Sequence, residues 1–367
     1  MNKKLFIQLA VVTGAIATGI FLGLRPRFIR QEEENLAKSS LEEGTEDENS
    51  GGIGFGDLAS KEAEKPKSEL ANKDVINVLL LGIDRRSKAA TTYNTDVMIL
   101  ASLNPEDNVM LLTSVPRDLW VNSNKINALY SVKGPETLID AFEQVTGLEV
   151  DGYIRCDFED FRWIVDSFGG VPVEVERSFT DTHFPNNTDT GLKPVSFEAG
   201  REVMDGWRAL DFARSRKGTN GEGSDLMRAK RQHRILAGMV EGVSQPASDF
   251  WPMDIEKFYK AVTAAQRMYT TLKLEDVRYL WDFYKDREDY KVVSFVVDGK
   301  YVYHPGLYPN SEYHAWVFIP REPDFASLHE DIQEMLFPVE EAAGPAGEDT
   351  TQATSKTTEP NLVILSN

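Results

Sequence analysis

The chain has 367 residues, with 40 Lys and Arg against 59 Asp and Glu, a formal net charge of -19, one Cys and five His. That length buries a full core in one large or two modest domains, while the acidity argues against general nucleic-acid binding, which needs a basic footprint. A lone Cys156 excludes an intramolecular disulfide and a multi-Cys zinc site, and the scattered His give a His-based metal site little support.

Leu5 to Leu24 is an uncharged apolar run of about the length that crosses a bilayer as a helix. The small-residue segment Ala15-Ile16-Ala17 falls inside this run instead of after it, which favours an uncleaved anchor over a signal peptide. Lys3 and Lys4 compete with Arg25, Arg27 and Arg30 under the positive-inside rule, so charge alone leaves the side of the membrane open. Gln31 to Asp74 is rich in Glu, Lys, Ser and Gly and nearly empty of aromatics, and reads as a tether. Its Gly52, Gly54 and Gly56 mimic a nucleotide loop but lack a preceding strand and a closing GK[ST]. From Pro338 onward the composition is again that of a disordered tail, apart from the apolar Leu362 to Leu365. The expected organisation is an anchor over 1–30, a tether over 31–74, one folded domain over 75–337 and a tail over 338–367.

Val75 to Ile83 is a nearly continuous apolar run, as expected of a strand buried on both faces, and it ends at Gly82-Ile83-Asp84-Arg85-Arg86. Asp96 opens a second run, Val97 to Leu103, and Asn104-Pro105-Glu106-Asp107-Asn108 is a turn before a third, Val109 to Val115, which leads into Pro116-Arg117-Asp118. A hairpin of the last two runs puts Asp96 and Arg117 at one sheet end, and an antiparallel first strand adds Asp84. Such paired carboxylates repel unless a cation or proton lies between them. Hard oxygen ligands in small number are what Mg²⁺ takes when phosphate and water complete its octahedron. For Asp84 and Asp118 the alternative is a turn or capping role. A short amphipathic helix from Lys125-Ile126-Asn127, a helix over Pro135 to Val145, a strand over Val150 to Phe158 and a helix over Glu159 to Phe168 follow. Gly169-Gly170 then turns into a further strand. Helical segments and strands at Lys291 to Val297 and His314 to Ile319 complete the pattern, which predicts a mixed α/β domain.

Between Leu210 and Arg234 the local charge reverses. A helix over Asp205 to Arg214 is followed by a Gly-rich loop and a second helix, with Ser224 as its N-cap and Asp225 in the first turn. Arg228, Arg231 and Gln232 share one face of that helix by spacing, and with Arg214 and Arg216 offer planar forks suited to phosphate or pyrophosphate. The competing reading is a solvated, salt-bridged helix face.

The set Gly82-x-Asp84-x-Arg86, Asn94-Thr95-Asp96, Ser114-Val115-Pro116-Arg117-Asp118, Lys125-Ile126-Asn127, Gly169-Gly170-Val171 and Asp205-Gly206 resembles the LytR-CpsA-Psr family. Ala213-Arg214-Ser215-Arg216 and Asp225-x-x-Arg228-x-x-Arg231-Gln232 resemble it too. The resemblance implies a single extracytoplasmic domain behind one N-terminal transmembrane helix, with a central, mostly antiparallel sheet flanked by helices. It implies transfer of a glycopolymer, such as teichoic acid or capsular polysaccharide, from a polyprenyl-pyrophosphate carrier to peptidoglycan. It further implies Mg²⁺ on Asp84 and Asp96, with Arg117, Asp118, Arg214 and Arg216 in the catalytic set. Arg86, Lys125, Asn127, Arg228, Arg231 and Gln232 would serve substrate binding. Asn94 stands where many members carry Arg, and Lys133-Gly134 where many carry Gly-Gly. The prenyl tail would need an apolar groove, for which Leu129, Phe142, Phe161, Ile164 and Phe168 are candidate lining or ordinary core. A pyrophosphatase using water as acceptor and a non-catalytic carrier binder are the competing functions.

Overall fold

The computed structural model describes residues 67–85, 93–167, 169–186, 190–243, 266–286, 291–306, 315–338 and 363–364, with 256, 259, 260 and 263. In chain order it begins with three long strands, β1 (Ile76–Ile83), β2 (Thr95–Asn104) and β3 (Val109–Ser114). Two short strands, β4 (Trp120–Val121) and β5 (Asn124–Lys125), lead into helices α1 (Ile126–Lys133) and α2 (Pro135–Thr146). Strand β6 (Gly152–Asp157) and helix α3 (Phe158–Ser167) precede four strands, β7 (Val171–Val175), β8 (Phe179–Pro185), β9 (Leu192–Phe197) and β10 (Gly200–Met204). Helices α4 (Gly206–Arg214) and α5 (Asp225–Val243) come next, then β11 (Tyr269–Thr270), α6 (Leu274–Asp286) and β12 (Lys291–Val296). The short pair β13 (Val302–Tyr303) and β14 (Ile319–Pro320), helix α7 (Ala326–Leu336) and β15 (Val363–Ile364) close the chain.

Seven strands form the central sheet in the order β11-β6-β1-β2-β3-β12-β15. The β1–β2, β2–β3, β6–β11 and β12–β15 pairs are antiparallel, whereas β6 runs parallel to β1 and β12 parallel to β3. The mixed, mostly antiparallel sheet is the expected one. Both of its faces are covered, which is why β1 reads as a nearly continuous apolar run, broken only by the buried Asn77. Ile76, Val78 and Leu80 enter one core with Ile164, Phe212 and Ile235, and Leu79 and Leu81 enter the other with Leu129, Phe142 and Ile332. Period-two alternation thus decides the layer, not the solvent exposure.

Helices α3 and α4 meet through the Asp205-Gly206 pair. Asp205 caps α4, accepting from the backbone N of Arg208, and a Cβ on Gly206 would lie 2.3 Å from the carbonyl O of Arg162. No side chain fits there without moving α3. On α5, Gly238 lies against β7 in the same way, with the Pro172 carbonyl 1.9 Å from a would-be Cβ.

The β8–β9 hairpin is not among the elements expected from the sequence. The apolar end of the tail supplies β15, which pairs Val363 with Ser294 and Ile364 with Val293. Among the described residues no helix is long and apolar enough to cross a membrane. The expected anchor over 1–30, most of the tether and most of the tail lie outside the described residues. Of the expected strand over His314 to Ile319, His314 lies outside them too, and the rest is not a strand as expected: only Ile319 belongs to one, β14, with Phe318 in an isolated bridge to Leu119.

Candidate active site

Four strand ends converge on one edge of the sheet. β1 ends at Ile83, which pairs with Thr95 at the start of β2, and the backbone N of Asp84 donates to Asn94 O at 3.0 Å. Ile99 pairs with Ser114, so Asp96 and Arg117 extend from the same end of the β2–β3 hairpin. Arg117 Nη1 donates to Asp96 Oδ1 at 3.0 Å. Strand β6, parallel to β1, delivers Asp157 to this edge, where its Oδ2 accepts from Arg85 Nη2 at 2.9 Å.

Above these ends lies a cavity of about 550 Å³ between the sheet and helices α3, α4 and α5. Its body is apolar, with Leu80, Val97, Ile99, Ile154, Phe161 and Leu236 among the lining side chains. Its mouth is charged, with Asp84, Asp96, Asp157 and Asp181 facing Arg117, Arg214, Arg216, Lys217 and Arg228. Five cations against four carboxylates is a local reversal in a chain of net charge -19.

The Arg214-Ser215-Arg216 turn at the end of α4 is fixed from both sides. In front, the buried Asp181 of β8 accepts from Ser215 Oγ at 2.8 Å and from the backbone N of Arg216 at 3.1 Å, Lys217 at 2.9 Å and His183 at 2.9 Å. Burial alone would raise the Asp181 carboxyl, but the donors of Lys217, Ser215, His183 and Arg216 hold it below the usual carboxylate range. Behind, Arg231 is fully buried and spends its guanidinium on protein acceptors. Its Nε donates to Phe212 O at 3.0 Å and its Nη1 to Glu222 Oε2 at 2.7 Å, while Nη2 bonds Ser215 O. Arg214 projects past the rings of Phe158 and Phe184, its Cζ 4.8 and 5.5 Å from their centroids.

Asp225 joins the two arginine elements. Its carboxylate takes a bidentate fork from Arg216, Nε to Oδ1 and Nη2 to Oδ2 at 2.9 Å each, and Arg228 Nη1 approaches Oδ1 at 3.3 Å. Burial would raise Asp225, and the Arg216 hydrogen bond with the charges of Arg228, Arg216 and Arg117 outweighs it and lowers its pKa. Arg228 moves the other way for an arginine. Burial lowers its pKa, and the neighbouring Arg216 and Arg117 add to that against the pull of Asp225. In Arg117 burial also acts downward, but Asp96 and Asp118 together raise its pKa. The buried Nε atoms of Arg117 and Arg228 have no hydrogen-bond partner among the described residues. Gln232, one turn beyond Arg228, lines the cavity and donates Nε2 to Ala213 O at 3.2 Å.

Of the residues singled out in the sequence, Asp84, Asp96, Arg117, Arg214, Arg216, Arg228 and Gln232 meet at the cavity. Four others sit behind it. Arg231 is a scaffold residue, turned away from the face shared by Arg228 and Gln232. Asp118 is held by Lys125 Nζ at 2.6 Å and lies 3.6 Å from Arg117 Nε, so Lys125 and Asp118 brace Arg117. The backbone N of buried Asn127 donates to Arg117 O at 3.3 Å, which ties α1 to the same turn. Lys125 and Asn127 therefore fasten the turn instead of lining the cavity. Arg86 and Phe168 lie outside the described residues. Phe161 and Ile164 line the cavity, whereas Leu129 and Phe142 belong to the core on the opposite sheet face. Asp181 in β8, Glu222 in the loop before α5 and Asp157 at the end of β6 were missed, since burial of a single acidic residue carries no local sequence signal.

No group of three or more His, Cys, Asp and Glu arranged to hold a metal occurs among the described residues. Two aspartates at adjoining strand ends fit a Mg²⁺ ion whose remaining ligands are phosphate oxygens and water, and do not fit a closed protein cage.

Residues 52–331 match the family model described as the LytR_cpsA_psr family, well over half of the chain. The chain belongs to the LytR_cpsA_psr family. Among its relatives, the polyisoprenyl-teichoic acid–peptidoglycan teichoic acid transferase TagU of Oceanobacillus iheyensis is 34% identical over 184 residues, 47% of this chain and 53% of that protein. The similarly named TagV of Bacillus subtilis is 26% identical over 285 residues, 74% of this chain and 68% of the relative. The chain thus matches about half the length of the first relative and two thirds of the second. In fold it resembles the crystal structure of B. subtilis TagV, with a TM-score of 0.53 at 24% identity over 72% of this chain and 98% of that one. It also resembles TagT bound to LIIa-WTA, with a TM-score of 0.53 at 22% identity over 75% and 95%.

Proposed function

We propose that the protein is a membrane-anchored phosphotransferase that moves a glycopolymer from a polyprenyl-pyrophosphate carrier to a sugar hydroxyl of peptidoglycan. The observation that carries this reading is one cavity with an apolar body and an arginine-rich mouth, in a member of a family whose relatives are named as teichoic acid transferases. A prenyl chain fits the apolar body. A pyrophosphate at the mouth would satisfy the buried donors of Arg117 and Arg228 together with the forks of Arg214 and Arg216.

In the proposed step, the acceptor hydroxyl oxygen bonds to the sugar-proximal phosphorus. The bond from that phosphorus to the bridging oxygen breaks, and polyprenyl phosphate leaves with the electron pair. The hydroxyl proton passes to a carboxylate at the mouth. Asp96 is better placed for this than Asp118, because Asp96 lines the cavity whereas Asp118 sits behind it on Lys125. Arg214 and Arg216 stabilise charge on the phosphoryl oxygens, and positioning with charge neutralisation is most of what phosphoryl transfer requires. Mg²⁺ held by Asp84 and Asp96 would add charge neutralisation on the pyrophosphate. The apolar run Leu5 to Leu24 would anchor the chain, with the folded domain on the extracytoplasmic side.

Product analysis with a synthetic polyprenyl-pyrophosphate glycan tests this. With peptidoglycan oligomers present, the expected product is a phosphodiester-linked adduct, abolished by EDTA and in Arg216→Ala. Free glycan phosphate in equal yield with and without acceptor would instead identify a pyrophosphatase, and intact donor throughout a carrier binder.

A further inference from the structure

We propose that Trp316 and His304 form a binding subsite for the acceptor glycan strand, beside the turn that carries Arg117; this rests on the transferase reading above. Trp316 is 49% exposed, although His304 stacks on it with ring centroids 3.7 Å apart and planes 25° from parallel. One ring face is therefore covered and fixed while the indole stays open to solvent. His304 is itself locked, because Nδ1 donates to Val317 O at 2.8 Å. That bond fixes the orientation of the ring and leaves Nε2 as the other ring nitrogen. Nε2 is buried and has no hydrogen-bond partner among the described residues.

The platform is joined to the mouth of the cavity by backbone hydrogen bonds. Two residues after Trp316, the N of Phe318 donates to Asp118 O at 2.9 Å, and Phe318 O accepts from Trp120 N at 2.8 Å. Asp118 in turn braces Arg117. Two extended residues span at most ~7 Å, and neighbouring strands lie ~4.8 Å apart. The indole therefore lies a few residues from the turn that carries Arg117, within the span of a short oligosaccharide.

The chemistry selects a sugar. A pyranose chair presents axial C–H bonds, weakly positive, to the negative face of an aromatic ring, here the indole face that His304 leaves open. A lipid would need a contiguous apolar patch. Here the neighbours are His304 and Tyr303, the latter with Arg321 Cζ 5.4 Å from its ring centroid.

The test is calorimetric titration of a soluble peptidoglycan tetrasaccharide without peptide stems, and separately of a polyprenyl diphosphate, into wild type, Trp316→Ala and Trp316→Phe. The tetrasaccharide is expected to bind about tenfold more weakly to Trp316→Ala, the scale of a lost ring contact. Trp316→Phe should retain most of the affinity, and polyprenyl diphosphate binding should be unchanged in both. Unchanged tetrasaccharide affinity in Trp316→Ala, no tetrasaccharide binding by wild type, or a parallel loss of polyprenyl diphosphate binding would overturn the assignment. Because no turnover is read, the outcome is separate from that of the transfer assay.

Discussion

Two arginines that look alike in the sequence do opposite work. Arg216 is 41% exposed at the mouth, and Arg231 is fully buried against Glu222. Removing one partner of a buried ion pair strands the other, which costs about 3–5 kcal/mol, whereas an exposed pair is worth about 0–1 kcal/mol. Arg231→Ala should therefore shift the urea midpoint strongly, and Arg216→Ala should leave it nearly unchanged while losing pyrophosphate affinity. His233 offers a pH signature. It lies fully buried between Ser114 Oγ at 2.8 Å and Ser294 Oγ at 2.5 Å. Burial first, then Arg234 and Lys230, lower its pKa from 6.5 to about 3. The unfolded chain thus takes up this proton before the folded one does. Its contribution to stability is complete above pH 6.5 and declines as the pH falls toward 3, by about 1.4 kcal/mol per pH unit. Urea midpoints from pH 7 to pH 4.5 should show a shallower slope for His233→Asn than for wild type. Identical slopes would place the titration elsewhere.

At the scale of elements, the strands that deliver Asp84, Asp96 and Arg117 were legible because apolar runs and one strong turn suffice to order β1, β2 and β3. The helix cap at Ser224 was equally legible, and its Oγ accepts from the backbone N of Met227, whereas Asp205, read as part of its helix, proves to be the cap. What could not be read was which way an arginine turns. Helical spacing groups Arg228, Arg231 and Gln232, but only packing against α4 shows that Arg231 faces inward. Nor could the β8–β9 hairpin, which holds the arginine turn through Asp181, be foreseen from alternating polar residues. The tight seams are testable. A methyl group at Gly206 or Gly238 would overlap a carbonyl, and forced overpacking costs about 1–3 kcal/mol. Gly206→Ala should lower the melting temperature and, by moving α4, weaken pyrophosphate binding as well. A stable Gly206→Ala protein with full affinity would show that the α3–α4 seam does not set the position of Arg214.

For the whole molecule, the proposed anchor and the cavity belong together, because a carrier lipid must pass from a bilayer into an apolar slot. Full-length protein is expected in the membrane fraction, and deletion of residues 1–30 should release it; membrane retention after that deletion would assign attachment to another segment. The central claim is that apolar body and arginine mouth hold one amphiphilic ligand. The most direct measurement compares the affinities of a polyprenyl diphosphate, the matching polyprenyl alcohol and inorganic pyrophosphate for wild type and for Arg214→Ala/Arg216→Ala. The diphosphate should bind at least about a hundredfold more tightly than the alcohol, since charged hydrogen bonds contribute about 1.5–3 kcal/mol each, and the double variant should erase that preference. Equal affinity for alcohol and diphosphate, or a preference that survives in the double variant, would contradict it.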